Sequence, residues 1–177
     1  GLAEIAREGW RDQGLAERLE READELRARF DKAFWVSERG GFYALALDGE
    51  KRQVDSRCSN MGHLLWSGIT MPERVRPTVD QLLSEDLWSG WGIRTMSSDE
   101  AAYNPIIYHN GTVWPHDSAF AVWGLARHGY VEEARRVSRA LIEAAQKDKS
   151  AKAGSETRKI GDFYATYMDE QSIEKMG

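Results

Sequence analysis

The sequence holds a single cysteine, Cys58, so it has no internal disulfide and no cysteine-based zinc site. A lone thiol fits a reducing cytoplasm. No apolar run approaches the roughly 18 residues that a membrane span requires. Neither sign of charge dominates: 24 basic and 29 acidic side chains are interspersed, with a net charge of -5. That balance predicts no nucleic-acid surface and no patch for anionic membranes. No short internal repeat is visible. What is present is an ordinary globular balance, 41% hydrophobic and 30% charged in 177 residues, which allows one domain with a real core. Seven tryptophans stand out, and two of them fall in the segment that lacks any regular period.

Leu15, Leu19, Ala23, Leu26, Phe30 and Phe34 recur three or four apart with Glu and Arg between them, which predicts an amphipathic helix over 15–34. Gly40-Gly41 stops that pattern, and FYALALDGEKRQV then predicts two short strands around Asp48-Gly49. A helix is expected over 59–65, ending near Gly68. Another starts at Pro72 and carries Val75, Val79, Leu82 and Leu83, with Pro77 predicting a kink or a restart. Residues 84–113 show neither helical nor strand periodicity, and so long a connection is uncommon in a compact domain unless it serves a site. Helical patterning resumes at Pro115, stops at Gly129 and returns over 132–145, as in a short antiparallel helix hairpin. The domain reading is a main unit over 1–146, a polar seam over 147–155 that reads as a linker or frayed helix end, and a helical tail over 156–177.

LWSGWGIRTM sets Trp88 and Trp91 around Ser89-Gly90, with Arg94 just beyond. Indole faces stack on the apolar faces of sugar rings, while Arg, Asn and His bond to ring hydroxyls, so carbohydrate is the ligand class this chemistry suits. Core filling accounts for either tryptophan equally well. In YNPIIYHNGTVWPHDSAF, residues 103–120, Gly111 permits an unusual backbone angle, and Pro115 puts His116 and Asp117 in the first turn of a helix. The helix dipole favours an aspartate there without further role. Facing a cleft, the same carboxylate suits a base or a hydroxyl-binding group better than a general acid. His63 and Trp66 are three apart, hence on one helical face, either lining the same site or packing a helix on its neighbours. His109 and His116 could bind metal by type, but their spacing matches no helical zinc pattern, so neither metal nor cofactor is expected. Asn110-Gly111-Thr112 matches the glycosylation acceptor pattern, which has meaning only on a secretory route. Cys58 reads as a small buried residue and not a nucleophile.

Three stretches carry a resemblance in combination: FWVSERGGFYALALDGEKRQVDSRCSNMGHLLWSGI, DLWSGWGIRTM and YNPIIYHNGTVWPHDSAFAVWGLARHG. Over residues 13–146 the chain resembles the C-terminal part of the catalytic domain in bacterial glycogen-debranching, amylo-alpha-1,6-glucosidase family proteins. The resemblance implies a mainly α fold: an incomplete α/α toroid barrel of six helical hairpins, with one short β-hairpin and a long irregular loop at the cleft. It implies a fragment of a glycoside hydrolase acting on alpha-linked glucosides with inversion, one carboxyl group protonating the leaving oxygen and another activating water. Carried over by motif, Trp88, Trp91, Arg94, Tyr108, His109, Asn110, Trp114 and His116 become substrate-binding residues. His63 and Trp66 join them, and Asp117 is the catalytic carboxylate candidate. The full acid/base pair is not matched: one member is expected ahead of Gly1 and the other after the last matched helix.

A partial barrel leaves helix faces uncovered, so low stability or self-association of the chain is expected. KIGDFYATYMDEQSIEKMG, residues 159–177, resembles instead a piece of the neprilysin-like zinc metallopeptidases. No HExxH stretch occurs, so no peptidase activity is expected, and a junction of two unrelated reading frames is the favoured explanation. Two further readings stay open: a noncatalytic carbohydrate-binding or interaction module built on the Trp-rich loop, and a helical structural domain whose loop aromatics are core.

Overall fold

A computed structural model describes residues 1–151, with side chains described through Lys147. Helix α1 (Leu2–Glu4) passes into a π-helical turn, Ile5–Gly9. Asp12 then caps α2 (Gln13–Phe34) by accepting a hydrogen bond from the Leu15 amide at 2.8 Å. The stripe that predicts α2 is used unevenly. Ala16 is buried, and Phe30 stacks on Phe34 at 4.5 Å and leans on Tyr43, whereas Leu26 stays half exposed.

Strand β1 (Trp35–Val36) pairs antiparallel with β2 (Phe42–Tyr43), Trp35 opposite Tyr43 and Val36 opposite Phe42. Strand β3 (Ala46–Leu47) pairs with β4 (Gln53–Val54). This corrects the expected hairpin in two ways. Phe42 and Tyr43 turn back on β1 and not forward on β4, and the second hairpin closes over residues 48–52 and not on Asp48-Gly49 alone. The Asp48 carboxylate accepts the backbone N–H groups of Glu50 and Arg52, both at 2.9 Å, and the left-handed residue is Lys51, at φ 64°. The aspartate side chain thus organises the turn at the expected Asp48-Gly49 position.

Helix α3 (Met61–Ser67) ends on left-handed Gly68. Helix α4 (Pro72–Leu82) runs without a break through Pro77. Pro77 forgoes the bond to the Glu73 carbonyl, in the solvent-exposed first turn, and the helix does not restart there. Helices α5 (Pro115–Arg127) and α6 (Val131–Ala151) form the expected antiparallel hairpin, with Gly129 at φ 80° in the turn. Helix α6 continues past Lys147, where composition predicts the seam to begin. The rest of that seam and the 156–177 tail lie outside the described residues.

The core joins β2 to α3, α4, α5 and α6 through Phe42, Met61, Leu65, Leu82, Leu87, Ile93, Val122, Leu125 and Val137. Helices α3 and α5 approach closely because two glycines face that contact. A Cβ at Gly62 would stand 2.7 Å from the Ala121 Cβ, and one at Gly124 would stand 2.5 Å from the Leu65 Cβ. Residues 84–113 form no helix; isolated antiparallel bridges Cys58–Met96, Trp88–Ile93 and Arg94–Val113 hold them. Segment 94–97 therefore runs between 57–59 and 112–113. Among the described residues the fold is mainly helical, with two small β-hairpins.

Candidate functional site

The close approach of α3 and α5 sets His63 and Trp66 against the opening turns of α5, which carry His116, Asp117 and Phe120. Pro115 starts that helix, so Asp117 lies near its N-terminus, where unpaired amides and the helix dipole favour negative charge. Both oxygens of Asp117 are held. The Ser59 hydroxyl donates to Oδ2 at 2.6 Å, and His63 Nε2 lies 3.1 Å from Oδ1, donating as the Nε2–H tautomer. His116 Nδ1 stands 3.9 Å from the same Oδ1. Asp117 keeps 18% of its side-chain surface open and His116 keeps 71%, so the cluster is reachable from solvent.

Phe120 organises the rings around this carboxylate. The His63 ring stacks on it at 4.6 Å, Trp66 meets it edge-on at 4.6 Å, and His116 and Trp123 meet it at 4.9 and 6.0 Å. Trp66 is 41% exposed, so an apolar ligand face has access to part of its indole. One carboxylate beside histidine donors and a partly open indole can accept a hydroxyl proton, donate to ring oxygens and stack on a sugar's apolar face.

A second aromatic group lies just upstream. Tyr108 and Trp114 pack with centroids 4.4 Å apart, and His109 touches both rings, at 4.8 and 5.4 Å. Trp114 Nε1 donates to the Tyr108 carbonyl at 2.9 Å, locking the indole onto the loop. Asn110 Nδ2 donates to the Ala102 carbonyl, and the Asn104 amide donates to the Asn110 carbonyl, so Asn110 staples the loop.

The residues of the Trp-rich segment make contacts of their own. Trp88 is half buried against the core with the Arg136 guanidinium 4.5 Å above its ring, and a groove along α6 runs past it. Trp91 is exposed, with Lys147 Nζ 4.1 Å from its ring. Arg94 is half buried, pairs through its backbone with Val113, and has its Nη1 buried without a hydrogen-bond partner. Of the residues singled out in the sequence, the structure thus gathers His63, Trp66, His116 and Asp117 in one cluster and Tyr108, His109 and Trp114 in another. Trp88 and Trp91 lie against α6.

Sequence reasoning missed Ser59, Phe120 and Trp123. Phe120 and Trp123 carry a readable signal, since they lie three and six residues beyond Asp117 on the same helix. Ser59 has none: its bond to Asp117 spans 58 positions. Cys58 is buried next to Ser59, and that burial, with Glu100 nearby, pushes its thiol up to about 12. A buried thiol held protonated fits the reading of Cys58 as a small packing residue. Among the described residues, no group of three His, Cys, Asp or Glu side chains is arranged to hold a metal ion.

Residues 1–157 match the family model described as the Mannosylglycerate hydrolase MGH1-like glycoside hydrolase domain. No curated protein matches the chain.

Proposed function

Because the chain belongs to the MGH1-like glycoside hydrolase domain family, we propose that the Asp117 cluster is one wall of its sugar cleft and that Asp117 is a working carboxylate of that cleft. The observation that carries this reading is the two-point hold on the carboxylate by Ser59 and His63 beside the Trp66–Phe120 aromatic pair. With both oxygens receiving hydrogen bonds, Asp117 acts as an acceptor. It binds a sugar hydroxyl or takes the proton of an attacking water, and a second carboxyl group protonates the leaving oxygen. His63, Trp66 and His116 complete this wall, and Tyr108, His109 and Trp114 extend it along the loop.

The substrate class we propose is an alpha-linked glucoside of the glycogen-debranching, amylo-alpha-1,6-glucosidase kind, cleaved with inversion within an α/α barrel. The motif set SNMGHLLWSGI, SGWGIRT and YHNGTVWPHD supports that specificity. The description of the matched family names a mannosylglycerate hydrolase, so mannosylglycerate belongs in the same substrate panel. A noncatalytic sugar-binding role is the second reading, which the exposed Trp66 and the hydrogen-bonded Asp117 serve equally well.

The test is proton NMR of the anomeric signals while the chain is incubated with isomaltose, a maltooligosaccharide and mannosylglycerate. Saturable binding of at least one of these sugars, weakened in Asp117→Asn, is the expected result, and release of free sugar of inverted configuration adds that a second carboxyl group reaches the same cleft. Saturable binding left unchanged in Asp117→Asn, with no hydrolysis, selects the noncatalytic reading, and neither binding nor hydrolysis sinks both.

A further inference from the structure

We propose that Arg57 is a positioning residue for Asp117, acting through Ser59; the proposal rests on the reading of Asp117 as a cleft carboxylate. Arg57 is only 8% exposed. Its Nη2 lies 2.8 Å from Asp86 Oδ2 and donates to Ser97 Oγ and Asp99 Oδ2, both at 3.2 Å. Nη1 donates to Gln81 Oε1 at 3.0 Å, and Nε stands 3.7 Å from Glu100 Oε1. The backbone takes part as well. The Arg57 N–H donates to Glu100 Oε1 at 3.2 Å, and its carbonyl accepts the Ser97 N–H at 3.0 Å. Arg39 pairs with the same Glu100. One planar guanidinium thus ties the end of α4, the turn at Asp86 and residues 97–100 to the chain two residues ahead of Ser59.

The path from Arg57 to the carboxylate is short and made of hydrogen bonds. The Ser59 N–H donates to the Thr95 carbonyl at 3.3 Å, and the Thr95 N–H donates to the Thr112 carbonyl at 2.8 Å. Ser59 and the strand that leads into Asp117 therefore flank the same middle segment, 94–97. Arg57 fixes the far end of that segment through Ser97, Asp99 and Glu100. The Ser59 hydroxyl reaches Asp117 Oδ2 only while 57–59 keeps its place along 94–97, because a hydroxyl hydrogen bond holds only over donor–acceptor distances of about 2.5–3.0 Å and a shift of one residue along the ladder is several times larger. Arg57 sits outside the cleft cluster, so its effect on ligand runs through this register.

The test uses the ring nitrogen signals of His63 in the 177-residue chain, identified by their loss in His63→Gln. Ser59 and His63 hold two oxygens of one carboxylate, so freeing Oδ2 lets the carboxylate turn and moves the His63 Nε2 signal. Ser59→Ala and Arg57→Lys are expected to move that signal in the same direction, with the double variant moving it no further than Ser59→Ala alone. Ser59→Thr, which keeps the hydroxyl, leaves it near its original position. Asp86→Asn removes one negative charge from the guanidinium's partners and so weakens its hold, gives a smaller shift of the same sign, and decides the matter if Arg57→Lys does not fold. Affinity for the panel sugar bound best by the unaltered chain should fall about tenfold in Ser59→Ala, in Arg57→Lys and in their combination alike. A His63 signal unmoved by Arg57→Lys and Asp86→Asn, with only the thermal midpoint lowered, would overturn the proposal. So would affinity losses that add. If the unaltered chain binds no sugar, the cleft reading fails, and the His63 spectra still decide whether Arg57 positions Asp117.

Discussion

Asp117 illustrates how much chemistry one side chain gathers when two helices and a ladder meet at it. An Asp117→Asn change keeps the shape but gives the side chain an N–H₂ group, which must face either the Ser59 hydroxyl or the His63 N–H. We expect a stability loss of about 1 kcal/mol in urea denaturation, because the Ser59 hydroxyl has to turn and accept from the new N–H and two hydrogen bonds to a charged carboxylate become neutral ones. His128 gives a second residue-scale expectation. Burial is the main cause that holds its imidazole below the usual histidine range; Arg127 adds to it, and the bond from Nε2 to the Leu65 carbonyl opposes it. The folded chain therefore binds a proton at His128 less readily than the unfolded chain. Its contribution to stability is complete above about pH 6.5 and declines as pH falls through that value. His128→Gln should flatten the melting temperature between pH 7 and pH 5; an unchanged slope would contradict the assignment. At this scale the sequence was legible where residues share a helix. His63 with Trp66, and His116 with Asp117, are neighbours by spacing alone, whereas Ser59 meets Asp117 only through the ladder that crosses 94–97, and no local pattern announces such a contact.

The helix pair α3–α5 sets His63 and Trp66 beside Asp117, and its spacing is set by glycine. Adding a methyl group at Gly124 would drive a carbon to 2.5 Å from the Leu65 Cβ and 2.7 Å from the Trp66 amide nitrogen, which is backbone and cannot turn aside. Gly124→Ala should cost about 1–3 kcal/mol or more and shift His63 and Trp66 away from Phe120, visible as a changed tryptophan emission. Helical elements were readable because apolar residues three and four apart, Pro72 and Pro115 in first turns, and Gly68 and Gly129 at the ends all follow local rules. The first hairpin was not. Phe42 and Tyr43 pair with Trp35–Val36 and set Tyr43 against Phe30 and Trp35, a tertiary preference that no short-range signal announces, while the turn signal at Asp48-Gly49 serves the separate β3–β4 pair. Likewise, core packing could not be told from cleft lining for Trp88, since an indole under Arg136 and an indole in a sugar cleft have the same sequence signature.

For the whole molecule, charge and apolar exposure set the expected behaviour in solution. The buried Arg57 network includes Asp86, where burial by itself would raise the carboxyl, but hydrogen bonds from Ser97 and Ser84 and the Arg57 charge outweigh it and hold Asp86 below the usual carboxyl range. Its stabilisation is therefore present above about pH 4 and lost as pH falls through the folded value, so Asp86→Asn should weaken the acid dependence of unfolding. Leu2, Ile5 and Trp10 at the N-terminal turn, Leu26 on α2 and Ile106 in the loop are all exposed. Sedimentation velocity is expected to show concentration-dependent association, and a monomer at every concentration would contradict it. The central claim is that Asp117 and its surrounding rings bind a glycoside, and fluorescence titration of the chain with isomaltose, a maltooligosaccharide and mannosylglycerate tests it most directly. Saturable quenching by at least one of these sugars, weakened at least about tenfold in both Asp117→Asn and Trp66→Ala, is the predicted result. The contradicting results are no saturable change with any sugar, or equal affinity in the unaltered chain and both variants.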